Sequence, residues 1–348
     1  MAGGTFDPTS LPIQPGLYAN YVEAASAQIT GGARGIVAIP LLTYGSKAQA
    51  QSFYTIENEK QAVDTFGTAN VKSILLALQG GAKEVLVYTM PTTPDADAYI
   101  NMRNAFEARP FNVFAFDGES SASERAATKT WVARNRTEGK HFVVVIGGTA
   151  AEDADPAAGI ARTNLNSDQN IANLTTGVII EGVSYSSGKF APWLAGLIAG
   201  TAINRAITYA QVPADDVTLR LTKTQIDAAL SAGSIVFKND GVRVKVVQGL
   251  MTDKHKTRSI RARQAILTDI SQTAEDSYIG KLNNDADGQA TLIVAVKAYL
   301  ELLANNGVLN APSVVLDPEN KSIGDKVFLV ISYVEVDSME RIFLTINV

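Results

Sequence analysis

Asn283, Asp285, Asp287 and Gly288 are spaced N-x-D-x-D-G, the opening of a loop that could surround a calcium ion with oxygen ligands. Such a loop needs a bidentate glutamate at its twelfth position, and Val294 stands there. Without that carboxylate the stretch reads as a turn between two helices, with Asp287 as the helix cap. Residues 182–190, G-V-S-Y-S-S-G-K-F, have the outline of a phosphate-binding loop. They carry one residue too many between the glycines, and Phe190 stands where a hydroxyl must hold Mg²⁺, so the stretch reads as a flexible loop before a helix. The two histidines, His141 and His255, are far apart and neither has metal-ligand spacing; His141 reads as a strand-end residue. There is no cysteine, hence no disulfide and no thiolate chemistry. These patterns point to neither a metal nor a cofactor.

A serine nucleophile is the enzymatic alternative. Residues 188–196, G-K-F-A-P-W-L-A-G, resemble the nucleophile region of subtilisin-like proteases, where a serine precedes a helix opening Ala-x-Pro-x-x-Ala-Gly. Alignment on Pro192, Ala195 and Gly196 puts Gly188 at the nucleophile position, and glycine has no hydroxyl. Ser186 and Ser187 lie close by but out of register. The resemblance implies a subtilisin-like α/β layer without its catalysis. The competing function, a soluble α/β hydrolase-like enzyme of subtilisin-like fold, lacks an assembled acid, base and nucleophile.

Lys254, His255, Lys256, Arg258, Arg261 and Arg263 form a dense basic cluster. Helical spacing puts Arg258 and Arg261 on one face, with Lys254 adjoining. A solvated helix start is the simplest account. Positive charge at a helix N-terminus opposes the helix dipole, however, and so argues for a partner, most simply an acidic protein surface.

The elements that must position these residues follow from the patterning. The chain has 348 residues, enough for two domains or for one large domain with an insertion. It is 46% hydrophobic and 19% charged, an ordinary globular composition. A net charge of −5 and a pI of about 5.2 leave no footprint for nucleic acid or an anionic membrane. The N-terminus lacks the pattern of a signal peptide, and the longest apolar runs are too short and polar-studded to span a bilayer, so a soluble protein is expected.

Residues 1–16 are rich in proline and glycine and read as an extended arm, followed by a strand at 17–22. Strands are expected at 35–39 (stopped by Pro40), 84–90, 111–116, 141–146 and 177–181. Helices are expected at 57–66, 71–78 (ended by Gly80 and Gly81), 95–109, 120–136, 192–206 and 224–232. Near-continuous apolar strands alternating with amphipathic helices predict a mainly parallel sheet covered on both faces. Residues 150–173 read as a loop with a short helix, and N-D-G at Asn239, Asp240 and Gly241 marks a hairpin. Two long helices, 258–282 and 288–306, precede a terminal strand at 327–336 and an alternating run at 342–348. The fold class expected is α/β, α+β overall. A core domain is built from residues 23–90 and 242–336, an α/β domain (91–241) is inserted in it, and strand arms stand at 1–22 and 337–348.

Several stretches, in this order, resemble the contractile-tail sheath proteins of myophages, especially the short sheaths of Gram-positive phages and defective prophages. They are M-A-G-G-T-F and P-G-L-Y-A-N-Y near the start, R-G-I-V-A-I-P at 34–40, A-L-Q-G-G-A-K-E-V-L-V-Y at 77–88, Y-I-G-K-L-N-N-D-A-D-G at 278–288, V-V-L-D-P-E-N at 314–320 and V-D-S-M-E-R-I-F-L-T-I at 336–346. The resemblance implies a structural subunit, not an enzyme, in a bacteriophage or related contractile injection system. Many copies polymerise as helical rings around a tail tube in a virion tail assembled in the host cytoplasm, then contract to drive the tube through the cell envelope. It implies as partners other copies of the chain, the tube protein, and baseplate and tail terminator proteins, with no nucleic acid and no membrane insertion. It further implies that the end strands, carrying Leu17, Tyr18 and Tyr21 and Ile342, Phe343, Leu344 and Ile346, are exchanged between subunits. Lys254, Arg258 and Arg261 become the candidate contact with the tube.

Overall fold

The computed structural model describes residue 29 and residues 34–346. The expected N-terminal strand with Leu17, Tyr18 and Tyr21 lies outside the described residues, as do the last two residues of the C-terminal run.

In chain order the elements are β1 (Ile36–Leu41), β2 (Phe53–Ile56), α1 (Glu59–Phe66), α2 (Lys72–Gly80), β3 (Glu84–Thr89), α3 (Ala96–Glu107), β4 (Val113–Ala115), α4 (Ala122–Thr137) and β5 (Val143–Ile146). Then come α5 (Ala150–Asp153), α6 (Pro156–Leu165), β6 (Ile171–Asn173), β7 (Val178–Ile180), β8 (Val183–Tyr185) and α7 (Ser187–Gly200). The chain continues through β9 (Asp216–Val217), α8 (Lys223–Ala232), β10 (Phe237–Asn239), β11 (Val244–Val246), α9 (Thr257–Ser277), α10 (Ala286–Asn305), β12 (Leu309–Leu316) and β13 (Leu329–Glu335).

Six strands form one sheet in the order β2-β3-β1-β4-β5-β6, parallel except for β2 at its edge. Alternation in β1 sends Val37, Ile39 and Leu41 to one face and Ala38 to the other. The first face is covered by α1, α2 and α7 through Phe66, Ile74, Phe190 and Leu194. The second is covered by α3 and α4 through Met102, Phe106 and Trp131. Pro40, expected to stop β1, sits within it opposite Tyr88 of β3. On the other side β4 pairs only with Val37 and Ala38, so no ladder donor is required of Pro40 there.

The sheet crosses the boundary expected at residue 90. Strands β1 to β3, placed by the sequence in a core domain ending at residue 90, hydrogen-bond into the same sheet as β4 to β6. A separate apolar core unites α9, α10 and the β12–β13 hairpin through Ile266, Val296, Leu300, Leu309 and Val314, joined by Ile29. Residues 150–173, read as a loop with a short helix, form α5, α6 and β6: Thr149 makes a capping box with Glu152, and Asp155 caps α6 ahead of Pro156.

Helices α2 and α7 meet backbone to backbone. A Cβ on Gly196 would lie 2.0 Å from the Ala77 carbonyl oxygen, and one on Gly80 would lie 2.2 Å from that of Trp193. Gly81 closes α2 with φ +115°, which glycine adopts freely. The double glycine thus ends one helix and admits another.

Candidate functional site: the C-terminal segment and its anchor

The patterns that suggested chemistry resolve into structural roles. Asp285, not Asp287, caps α10: its carboxylate accepts from the Gly288 N–H at 2.9 Å. Among the described residues no three His, Cys, Asp or Glu side chains gather as metal ligands. Residues 182–190 are not a loop but the turn into β8, that strand, and the first turn of α7, which starts five residues ahead of Pro192 and is capped by Ser186. Ser187 is buried, its hydroxyl donating to Asp153 at 2.6 Å and accepting from Gly148 N–H at 2.7 Å. Burial raises the Asp153 pKa, against the hydrogen bonds from Ser187. No histidine takes part in these bonds. At Gly188 a Cβ would lie 2.7 Å from the Gly148 carbonyl oxygen, so the would-be nucleophile position is closed by packing.

The basic cluster finds an acidic partner inside its own chain. Lys256, the residue before α9, pairs with Asp337 and with Glu340, the latter at 2.9 Å. Glu340 accepts further bonds from the Thr208 hydroxyl at 2.6 Å and the Gln248 amide at 2.7 Å, and its side chain is only 9% exposed. Burial alone would raise its pKa; the bonds from Thr208, Lys256 and Gln248 outweigh that and hold it below the usual carboxylate value. Arg258 donates to the Ser338 hydroxyl and the Gly307 carbonyl, each at 2.8 Å, and Arg263 pairs with Glu335. Residues 335–340 are therefore fastened to the start of α9 and to the loops carrying Thr208 and Gln248.

This arrangement bears on the residues expected at the tube. Arg258 and Arg261 are buried, and Arg258 is spent on the C-terminal segment. Lys254 is the exposed member, held with φ +78° in a tight turn ahead of α9. The sequence reading missed Glu335, Asp337, Ser338 and Glu340. Their signal was charge complementarity with residues 254–263.

Past the anchor the character changes. Residues 341–346 carry no regular secondary structure and join no ladder among the described residues. Ile342, Phe343, Leu344 and Ile346 are exposed, Phe343 at 90%. Nearby, β12 and β13 form a two-stranded antiparallel sheet with a bulge between Asn310 and Ser313. Its inner side chains, Leu309, Val314, Ile331 and Tyr333, pack on α9 and α10. Its outer side shows Val315, Val330 and Val334 to solvent, and its outer edges have no partner strand among the described residues. None of the described helices is long and apolar enough to cross a membrane.

The sequence pattern of the phage tail sheath protein central domain matches residues 91–250, and that of the phage tail sheath C-terminal domain matches residues 252–348. The tail sheath protein of Clostridium phage phiCD119 is 23% identical over 306 residues, spanning 84% of this chain and 80% of that protein. A sheath tail protein of Desulfitobacterium hafniense has the same fold, with a TM-score of 0.72 at 19% identity over 92% of this chain and 100% of its own. The helical sheath of the anti-feeding prophage in its contracted state matches with a TM-score of 0.75 at 16% identity, over 97% of this chain and 99% of its own. The hydrolase alternative gains no support from any of these, and the chain belongs to the phage tail sheath protein family, whose members are structural.

Proposed function

We propose that this chain is the repeating subunit of a contractile sheath and that its C-terminal run, residues 342–348, is lent as a strand to a neighbouring copy. In this reading the subunits stack as helical rings around a tail tube, and contraction drives the tube through the cell envelope. The observation that carries the proposal is the contrast within the last residues. Positions 335–340 are fixed to the body by ion pairs and hydrogen bonds, while Ile342, Phe343, Leu344 and Ile346 immediately after them expose large apolar side chains.

An exposed apolar run is costly in water and hazardous unless something covers it. The open edges of the β12–β13 sheet supply what such a run needs: unpaired backbone groups along a strand beside apolar side chains. A donated strand gains ladder hydrogen bonds and seats its alternate side chains in pockets. Each copy would give one strand and receive another, a head-to-tail contact that does not close and so builds a helix. The N-terminal run with Leu17, Tyr18 and Tyr21 is proposed as a second such strand.

The sheath sits in the virion tail, and we assign its assembly to the host cytoplasm. Its proposed partners are further copies of itself, the tail tube protein, and the baseplate and tail terminator proteins, with no nucleic acid and no membrane insertion. Lys254 remains as a candidate for the tube contact. Electron microscopy of the concentrated protein tests the reading: tubes are expected. A protein that stays monomeric at high concentration and cleaves a generic ester would overturn it.

A further inference from the structure

A cleft of about 520 Å³ opens between α9 and the lower end of the large sheet, where Ile36, Val113 and Val143 begin or adjoin β1, β4 and β5. Arg261 and Gln264 of α9 both line it, and at this spacing they share one face of the helix. Arg261 is 8% exposed, and its Nη1 has no hydrogen-bond partner among the described residues; the Nε2 of Gln264 is likewise buried without one among them. The other cations of the cleft are engaged. Arg34 pairs with Asp269, which also accepts from the Tyr299 hydroxyl. The Lys140 ammonium donates to the carbonyls of Phe106, Glu107 and Arg109 at 2.8, 2.7 and 2.7 Å.

Arg261 has no such relief. Burial lowers its pKa to about 10, and the charged neighbour acting on it is Arg34, a second cation. Glu275 lines the same cleft, but fourteen residues along one helix separate it from Arg261, about 21 Å. A buried guanidinium without a counter-charge is among the costlier arrangements a fold can hold, and a carboxylate delivered to it would relieve that cost.

We propose that this cleft is a docking site for a carboxylate carried by a second copy of the chain, received by the Arg261 guanidinium and the Gln264 amide. The inference rests on the sheath reading above, which brings copies together. Two observations favour this occupant. The chain carries 35 acidic against 30 basic residues, so each neighbour offers carboxylates in excess. The cleft is also rimmed by Glu138 and Glu275, which would repel a polyanion such as nucleic acid but tolerate one well-placed carboxylate.

The test is Arg261→Met, which keeps length and apolar bulk and removes the charge. The monomer's melting temperature should stay the same or rise, because an uncompensated buried cation has gone. The protein concentration needed for tube formation should rise about tenfold or more. Arg261→Lys, which keeps charge but loses the fork, should fall between. As a second readout, the wild-type monomer should melt higher in sodium acetate than in sodium chloride at equal pH and ionic strength, and Arg261→Met should not. Tubes formed by Arg261→Met at wild-type concentrations would overturn the proposal. So would parallel loss of monomer stability and assembly, or an acetate effect equal in both proteins. Absence of tubes from the wild type would instead sink the sheath reading and, with it, a second copy as the occupant.

Discussion

The Lys256 ammonium lies 2.9 Å from the Glu340 carboxylate, and this pair fixes the point at which the C-terminal run leaves the body. Lys256 stands at the start of α9, where a positive charge meets the unfavourable end of the helix dipole. Glu340 and Asp337 reverse that local charge. The arm is therefore anchored at its base and exposed beyond it, a geometry suited to reaching a neighbour in a defined direction.

Glu340→Ala should release the anchor. The Thr208 hydroxyl, the Gln248 amide and Lys256 all lose their acceptor, at a cost of about 2 kcal/mol to the folded monomer. Hydrogen exchange should show the amides of residues 337–341 losing protection while those of the large sheet keep theirs. Unchanged exchange at 337–341 would mean that the anchor does not depend on Glu340.

The same carboxylate should confer a pH dependence. Its pKa in the folded chain is lowered from 4.5, so its stabilisation is present above 4.5 and is lost as the pH falls below that value through the folded pKa. The melting-temperature difference between the wild type and Glu340→Gln should be full at pH 6 and shrink as the pH is taken below 4.5. A difference that stays constant through the acid range would contradict the assignment.

Gly196→Ala should be poorly tolerated. The new Cβ would meet the Ala77 carbonyl oxygen at 2.0 Å, and the rigid backbones of α2 and α7 must part to admit it. Roughly 2–3 kcal/mol of destabilisation is expected, read from chemical denaturation. A neutral substitution would show that the two helices slide apart easily.

Gly188→Ser should not create an esterase. A Cβ at this position lies 2.7 Å from the Gly148 carbonyl oxygen, so the variant should melt lower than the wild type and show no turnover of an activated ester. Measurable turnover sensitive to a serine-directed inhibitor would revive the hydrolase alternative.

What the sequence made legible was local. Near-continuous apolar runs placed β3 and β5, N-D-G placed the hairpin of β10 and β11, and Asp95 stood at the start of α3. What escaped depended on distant partners. Gly80 and Gly81 could be read as a helix end, but not as the floor on which α7 lies, because Gly196 is far along the chain. Pro40 looked like a strand stop because only the tertiary pairing shows that β4 ends before reaching it. Asp287 was read as the cap of α10, and the backbone hydrogen bond that makes Asp285 the cap instead is not visible in the spacing. The basic cluster was visible and its need for an acidic partner followed from the helix dipole. That the partner was the chain's own residues 335–340 required the hairpin to bring the two ends of the C-terminal unit together.

Removal of residues 342–348 tests the central claim most directly, since it deletes the exposed side chains of Ile342, Phe343, Leu344 and Ile346 and leaves Glu340 and the anchor intact. Wild-type and truncated proteins would be compared by thermal melting and by electron microscopy at matched concentrations. The account predicts a truncated monomer with a near-native melting temperature that forms no tubes. Tubes assembled by the truncated chain, or a body that unfolds without the run, would contradict strand donation at this end.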